Sequence, residues 1–282
     1  MKNKFVTYII HYTPLRERRK FLEGAVETLL QVNWITEREV IPGNLRHNLN
    51  PKVFSISPSR IALDLGTNSR SIIKSRKKAF REGVLLQMLS FLPFFPDEFG
   101  FGSLPDISKL STAILELNEM HVAALRRASS SNYQWVLVLE DDAIPQENWL
   151  SRVLEIVESD WPNKPIWINL NSGASLTITS SDKKVEGLDL FRVKPPTTRC
   201  STAYLVNMAY IKGFIKLVDS YGLPAWLPID VIFQVANRKL RSKSYWAEPE
   251  VFTQGSESGQ YLSNLAKERV RNIPKSPPDK PI

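Results

Sequence analysis

The feature that most constrains this chain is a run of apolar residues, 135–139, that ends directly on three acids, Glu140, Asp141 and Asp142. An apolar run without alternation is typical of a strand that is buried on both faces, as in the middle of a parallel sheet. Residues 134–139 therefore predict a central parallel strand. In open α/β sheets ligands bind outside the carboxyl ends of the strands, so the three acids mark the expected functional site.

Strands and helices alternate along the rest of the chain. Apolar runs predict strands at residues 4–11, 33–41, 166–170, 188–193, 200–206 and 244–246. Helical spacing of apolar residues predicts helices at residues 14–31, 69–89, 107–128, 149–157, 209–221 and 229–240. This alternation predicts an α/β fold, a single domain over residues 1–271 in which helices flank a mostly parallel central sheet. The proline-rich residues 272–282 predict a disordered tail.

The composition limits the classes of function. A single cysteine, Cys200, excludes an internal disulfide framework and favours a reducing compartment. The net charge of +8 suits polyanionic partners, namely a nucleotide diphosphate, an anionic membrane surface or a nucleic acid. No apolar stretch approaches the ~18 residues of a membrane-spanning helix, and residues 1–12 lack the pattern of a signal peptide. We therefore expect a cytoplasmic location, with the positive charge allowing peripheral contact with the anionic inner membrane surface.

Three adjacent carboxylates at the end of a buried strand repel one another and are poorly solvated. A divalent cation relieves that cost, and oxygen ligands of this kind suit Mg²⁺ or Mn²⁺. Glu140, Asp141 and Asp142 are therefore candidate metal ligands, and the ion would hold a diphosphate and stabilise its charge as it leaves. In an extended chain Glu140 and Asp142 point to one face and Asp141 to the other. The alternative is a solvated turn in which Asp142 caps the next helix.

Several short motifs, taken in order, resemble glycosyltransferase family 25, the lipopolysaccharide-biosynthesis and collagen-galactosyltransferase type. The segment VLVLEDDAIP (136–145) is similar to that family's LEDD segment. The other matching segments are YIIHYTPLRERR (8–19), the helix that follows Leu110 and Ser111, STAYLVNMAYI (201–211), PID (228–230), and Pro249 through Gln254 to Ser258. The resemblance implies a GT-A-type fold and inverting transfer from a nucleotide-sugar donor, UDP-galactose or a relative. The partners expected are that donor and a saccharide or glycolipid acceptor, with Mn²⁺ or Mg²⁺ as the cofactor.

Two arginines at the start of the first predicted helix are candidate donor-binding residues. Arg16 and Arg19 are three residues apart, so they share a helix face near the N-terminus, where anions are favoured. In this interpretation they contact the nucleotide phosphates, and Arg18 points elsewhere. The alternative is a solvated basic face.

Asp230 is the candidate catalytic base. It lies in the Pro-Ile-Asp motif at a predicted helix start, and an inverting transfer needs a carboxylate to take the proton of the acceptor hydroxyl. An aspartate at that position is also a good N-cap, which is the alternative role. Glu248 and Glu257 are weaker candidates for the same base.

Tyr204, Gln254 and Ser258 are further candidate donor or acceptor contacts. The alternatives are core packing for Tyr204 and a polar loop for the other two.

Two other classes of function stay open. A non-catalytic nucleotide-sugar-binding protein would share the fold without a working base or metal site. A nucleic-acid-binding protein would explain the charge, but the basic helix at 69–89 carries one aromatic, Phe80, where such proteins interleave several, so we expect no nucleic-acid partner.

Overall fold

The computed structural model describes residues 5–13, 15–27, 29, 32–36, 112–173, 176–194, 197–221 and 228–256. Five helices and ten strands lie within these ranges. In chain order the elements are β1 (Phe5–His11), α1 (Arg16–Val26), β2 (Val32–Thr36), α2 (Thr112–Ser129), β3 (Trp135–Glu140), β4 (Ala143–Pro145), α3 (Trp149–Glu158), β5 (Ile166–Asn169), β6 (Lys183–Lys184), β7 (Leu190–Arg192), β8 (Ala203–Asn207), α4 (Met208–Tyr221), α5 (Ile229–Lys239), β9 (Lys243–Ala247) and β10 (Phe252–Gln254).

Eight of these strands form one sheet, in the order β2-β1-β3-β8-β5-β9-β7-β6. β1 pairs in parallel with β2 and with β3, and β5 pairs in parallel with β9. β8 runs antiparallel to both of its neighbours, β3 and β5, and β7 runs antiparallel to β9 and β6. The expected α/β fold with a large central sheet and flanking helices is confirmed. The sheet is mixed rather than parallel throughout, because β8 and β7 run antiparallel to their neighbours.

Helices cover both faces of the sheet, and β3 contributes side chains to both cores. Val136 and Val138 pack in a core with residues of α2, α4 and α5. Leu137 and Leu139 pack on the opposite face with residues of α1 and α3. All of residues 135–139 are buried, as the unbroken apolar run predicts.

The carboxyl ends of β1, β3, β5 and β9 lie along one edge of the sheet, because these strands run in the same direction. After β3 the chain turns at Asp141 and Asp142 and continues as β4, which pairs antiparallel with β10 in a small second sheet. The backbone N–H of Gly255 then donates to the carbonyl oxygen of Asp142 at 2.8 Å. This pairing brings residues 254–256 beside the acidic turn.

The sequence predicts most of the described elements to within a few residues. The strands β1, β3, β5, β7, β8 and β9 and the helices α3, α4 and α5 lie where the apolar patterns place them. Helix α1 ends at Val26, earlier than predicted, and the two- or three-residue strands β4, β6 and β10 were not predicted. The predictions for residues 69–89 and 272–282 lie outside the described residues. None of the described helices is both long and apolar enough to cross a bilayer.

Candidate functional site

Asp141 is held by the first strand and helix. Its Oδ1 accepts a hydrogen bond from Arg18 Nη1 at 2.9 Å. Its Oδ2 lies 3.1 Å from His11 Nδ1 and accepts from the backbone N–H of Tyr12 at 3.0 Å. The Asp141 carboxylate and the Arg18 guanidinium are both buried. Both carboxylate oxygens therefore have protein partners, and this geometry favours a structural role for Asp141 over the predicted metal ligation.

Arg18 lies on a different face of α1 from Arg16 and Arg19, as predicted, and its contact with Asp141 in the site was not predicted. Helix α1 packs on the sheet through Leu22 and Val26, and Arg18 is buried on the same side. Positions i, i+4 and i+8 lie close together on a helix, so burial of Leu22 and Val26 carries Arg18 inward. The spacing of the arginines alone does not reveal which face of the helix packs.

Arg16 and Arg19, the predicted phosphate contacts, are exposed on α1. Arg19 Nε donates to Glu23 Oε1 at 2.7 Å, and its guanidinium lies 4.9 Å from the centre of the Trp34 ring. An exposed pair of this kind is weak, so both arginines remain able to bind an anion. Their predicted role in donor binding stays a prediction.

Glu140 is held through one oxygen by a chain of polar side chains. Its Oε1 accepts a hydrogen bond from Ser201 Oγ at 2.6 Å and lies 3.2 Å from His121 Nε2. His121 Nδ1 lies 2.9 Å from the hydroxyl of Tyr204. Burial raises the pKa of Tyr204 well above its ordinary value, so that hydroxyl stays protonated. Tyr204, His121, Glu140 and Ser201 thus form one connected chain of polar side chains.

Tyr204 itself lies in the core, fully buried and stacked on Trp167 with ring centres 4.4 Å apart. Its hydroxyl is occupied by His121. The ring of Tyr204 packs in the core, as the alternative interpretation has it. Its hydroxyl is linked to the site through His121, which contacts Glu140.

Asp142 is the third acid, and it is only 5 % exposed. Its Oδ2 accepts a hydrogen bond from Ser256 Oγ at 2.7 Å and lies 3.5 Å from Gln254 Nε2. Its Oδ1 is buried and has no hydrogen-bond partner among the described residues. Burial, and next the negative charge of Glu140, raise the pKa of Asp142 to about 6. The alternative of a solvated turn is therefore wrong, and the next helix, α3, takes Asn148 as its N-cap.

The described residues do not form a complete metal-binding set of side chains. No group of three or more His, Cys, Asp and Glu side chains converges as a metal-binding set within the described ranges. A buried carboxylate oxygen without a partner, as at Asp142 Oδ1, nevertheless fits a cation, because the ion would replace the missing hydrogen bond. Mg²⁺ is commonly bound through one or two carboxylates together with substrate phosphates, and Asp142 suits that pattern.

Gln254 connects Asp142 to the loop before β8. Its Oε1 accepts a hydrogen bond from Cys200 Sγ at 3.3 Å, and its Nε2 faces Asp142. Burial raises the pKa of Cys200 to about 12, so the thiol stays protonated and is no nucleophile. The predicted ligand-binding residue Gln254 therefore lies in the site, whereas Ser258 and Glu257 lie outside the described residues.

Asp230 lies in the first turn of α5, close enough to Glu140 for their charges to interact. The N-cap of this helix is Pro228, so the alternative in which Asp230 is the N-cap is wrong. Burial raises the pKa of Asp230, hydrogen bonding to the backbone N–H of Val231 lowers it, and the charge of Glu140 raises it further. A carboxyl whose pKa is raised in this way is suited to take up a proton during catalysis.

Glu248, the second candidate base, follows β9 and forms an ion pair with Arg199 at 2.9 Å. Sequence reasoning missed Arg199, His121 and Ser201. His121 and Ser201 contact Glu140, and Arg199 contacts Glu248. The signal for His121 is its place on the apolar face of a predicted helix, since Leu125 four residues later is buried. No comparable pattern marks Arg199.

The fold and the site define a mixed α/β protein with a cluster of carboxylates at the carboxyl edge of its central sheet. No protein-family model and no curated protein matches this chain. Its function is therefore inferred from the geometry of this site together with the motifs of the sequence.

Proposed function

We propose that the chain is a metal-dependent glycosyltransferase of GT-A type, which transfers galactose or a related hexose from a UDP-sugar to a saccharide or glycolipid acceptor. The observation that carries the proposal is Asp142, a buried carboxylate with one unpartnered oxygen at the end of the central strand. That arrangement suits a site for a cation and a diphosphate. The motifs shared with glycosyltransferase family 25 supply the reaction class.

In this proposal Mn²⁺ or Mg²⁺ binds Asp142, and Glu140 contributes the carboxylate oxygen that His121 and Ser201 do not contact. The ion supplies charge stabilisation to the departing diphosphate. His121 and Ser201 fix Glu140 in one orientation, which a metal ligand needs in order to be preorganised. Asp141 holds β1 and α1 against the acidic turn through Arg18.

The donor nucleotide lies on the α1 side of the acidic turn in this proposal. Arg16 and Arg19 at the start of α1 are exposed and are available for its phosphates. The N-terminal end of the helix adds a favourable field for anions. The acceptor then approaches from the α5 side, where Asp230 takes the proton of the attacking hydroxyl.

The test is a donor screen. The full chain is incubated with Mn²⁺ and a panel of UDP-, GDP-, ADP- and CMP-sugars, and release of the nucleotide is measured. We expect release from UDP-galactose or a related UDP-hexose, and Asp142→Asn should remove it. Glu147→Gln is the matched control, because Glu147 is an exposed acid in the following turn and should leave the rate unchanged. Release from no donor in the panel, or equal loss in both variants, would contradict the proposal.

A further inference from the structure

Arg199 is a buried cation that the proposed reaction does not use. Its side chain is 1 % exposed, and its guanidinium lies over the ring of Trp246, 4.3 Å from the ring centre. Nη2 donates to Glu248 Oε2 at 2.9 Å. Stacking on an aromatic face leaves the in-plane N–H groups of a guanidinium directed outward, where they can bind a planar or tetrahedral anion.

Most N–H groups of Arg199 have no acceptor among the residues that the structure describes. Nε and Nη1 are buried and have no hydrogen-bond partner among the described residues. A guanidinium carries five N–H groups, of which one is on Nε and two are on Nη1. Burying charged donors without acceptors costs free energy that a bound oxyanion would recover. The unpartnered donors of Arg199 therefore point to a ligand that carries negative charge.

The residue opposite Arg199 is poorly suited to be a permanent partner. The side chain of Glu248 is 46 % exposed, whereas that of Arg199 is almost fully buried. A half-exposed carboxylate is already partly hydrated and gains further hydration when it swings into water, which offsets part of the loss of the ion pair. Glu248 can therefore give up its place at Nη2 to the carboxylate or phosphate of an incoming molecule.

The segment that carries Arg199 is fixed to the fold. The backbone N–H of Arg199 donates to Asn169 Oδ1 at 3.2 Å, and Asn169 Nδ2 donates to the carbonyl oxygen of Cys200 at 2.6 Å. Thr197 is tied to α5 through Gln234, which accepts from the Thr197 hydroxyl at 2.8 Å. A binding residue on such a rigid support is preorganised, so little ordering entropy is lost when a ligand arrives.

The position of Arg199 along the sheet separates it from the donor side. Its guanidinium lies over Trp246 of β9, and β9 is the third strand beyond β3 in the sheet, after β8 and β5. At the usual strand spacing this is roughly 14 Å from the end of β3. Helix α1 contacts the turn that directly follows β3, through Arg18 and Asp141. An anion at Arg199 is therefore far from the diphosphate of a donor held beside α1.

We propose that Arg199 binds an oxyanion, a carboxylate or a phosphate group, carried by the acceptor, and that the Glu248 carboxylate occupies this place until the acceptor enters. The assignment to the acceptor rests on the proposed function; the anion-binding site itself does not. The acceptor is accordingly an acidic saccharide or a phosphorylated glycolipid. Arg199 binds the substrate, and Asp230 remains the base.

The test measures binding of three small sugars to the full chain by calorimetry. Glucose 6-phosphate and glucuronic acid carry the oxyanion, and glucose is the neutral control. We expect the anionic sugars to bind wild type at least tenfold more tightly than glucose, because hydrogen bonds to a charged group are among the stronger ones. Arg199→Gln should abolish the difference, and Arg192→Gln, an exposed arginine at the end of β7, should preserve it.

A second variant keeps the test decisive if Arg199→Gln fails to fold. Glu248→Gln leaves the guanidinium in place and removes the competing charge, so the anionic sugars should bind several-fold more tightly than they bind wild type. Equal binding of all three sugars in wild type and in Glu248→Gln would overturn the inference.

UDP separates the two possible sources of the anion. With Mn²⁺ present, UDP affinity should be the same in wild type and Glu248→Gln. If Glu248→Gln strengthens binding of UDP and not of the anionic sugars, the site belongs to the donor and the inference is wrong. These binding assays need no sugar transfer. A donor screen that contradicts the glycosyltransferase proposal and a binding assay that contradicts the Arg199 site are therefore separate outcomes.

Discussion

The two sides of the acidic turn differ in how completely their polar groups are paired. On the β1 side, both carboxylate oxygens of Asp141 are occupied, by Arg18, His11 and the backbone of Tyr12. On the other side, one oxygen of Asp142 and two nitrogens of Arg199 are buried without a partner among the described residues. Adjacent acids on one turn thus have opposite environments. Removing one partner of a paired buried charge destabilises the fold, whereas a buried polar group that is already unpaired is a candidate place for a ligand.

The largest effect is expected at the base. Asp230→Asn should lower the single-turnover rate by roughly 10²–10⁴-fold, because the amide cannot take the proton of the acceptor hydroxyl. UDP affinity and melting temperature should stay close to wild type. A stable variant with the wild-type rate would remove Asp230 from catalysis, and Glu248 and Glu257 would then be tested in the same way.

Asp141→Asn tests the paired side of the acidic turn through the free energy of unfolding. Breaking a buried ion pair by removing one partner typically costs about 3–5 kcal/mol, and here it removes the charge of the carboxylate that the buried Arg18 guanidinium contacts. We expect a loss of that size in the free energy of unfolding, measured by urea titration. Glu147→Gln should change the free energy of unfolding little. A variant as stable as wild type would show that the β1 side is not held together by this pair.

Asp142→Asn should have the opposite effect on stability when metal is absent. The pKa of Asp142 rises from 3.8 to about 6 in the fold, so the native state holds a proton that the unfolded state has released between these values. Stability of the wild type therefore falls as pH rises through this window, by about 3 kcal/mol in full. In EDTA the asparagine variant should be more stable than wild type at pH 7 and similar to it below pH ~4. An asparagine variant less stable than wild type at pH 7 would contradict the proposed contrast between Asp142 and Asp141.

The smallest effect concerns the two exposed arginines. Arg16→Ala and Arg19→Ala should each weaken UDP binding by roughly ten- to a hundredfold, because a charge-assisted phosphate contact contributes about 1.5–3 kcal/mol. Their melting temperatures should be close to wild type, since both side chains are exposed. Unchanged UDP affinity in both variants would return them to the solvated-face interpretation.

The position of the site was predictable because its signal is local. The apolar run 135–139 determines a strand buried on both faces, and the acids follow it in the sequence. The partners of those acids were not predictable in the same way. Arg18 and Asp141 are 123 residues apart, and Ser256 and Asp142 are 114 apart. Contacts over such distances depend on sheet order and on the short β4–β10 pairing, for which the chain gives no periodic pattern.

The orientation of α1 illustrates the same limit. Helical spacing correctly separates Arg18 from Arg16 and Arg19. Which side faces inward is decided by the packing of Leu22 and Val26, whereas the neighbouring Phe21 is 38 % exposed. Phe21 and Leu22 lie about 100° apart around the helix, and the sequence does not say which of them faces the sheet.

The most direct test of the central claim is UDP affinity with and without a divalent cation. Calorimetry would compare wild type and Asp142→Asn in Mn²⁺ and in excess EDTA. We predict that wild type binds UDP tightly only with Mn²⁺, that Mg²⁺ restores binding after chelation, and that Asp142→Asn binds weakly in both conditions. Equal UDP affinity in wild type with and without chelator would contradict the assignment of Asp142 to a metal-diphosphate site.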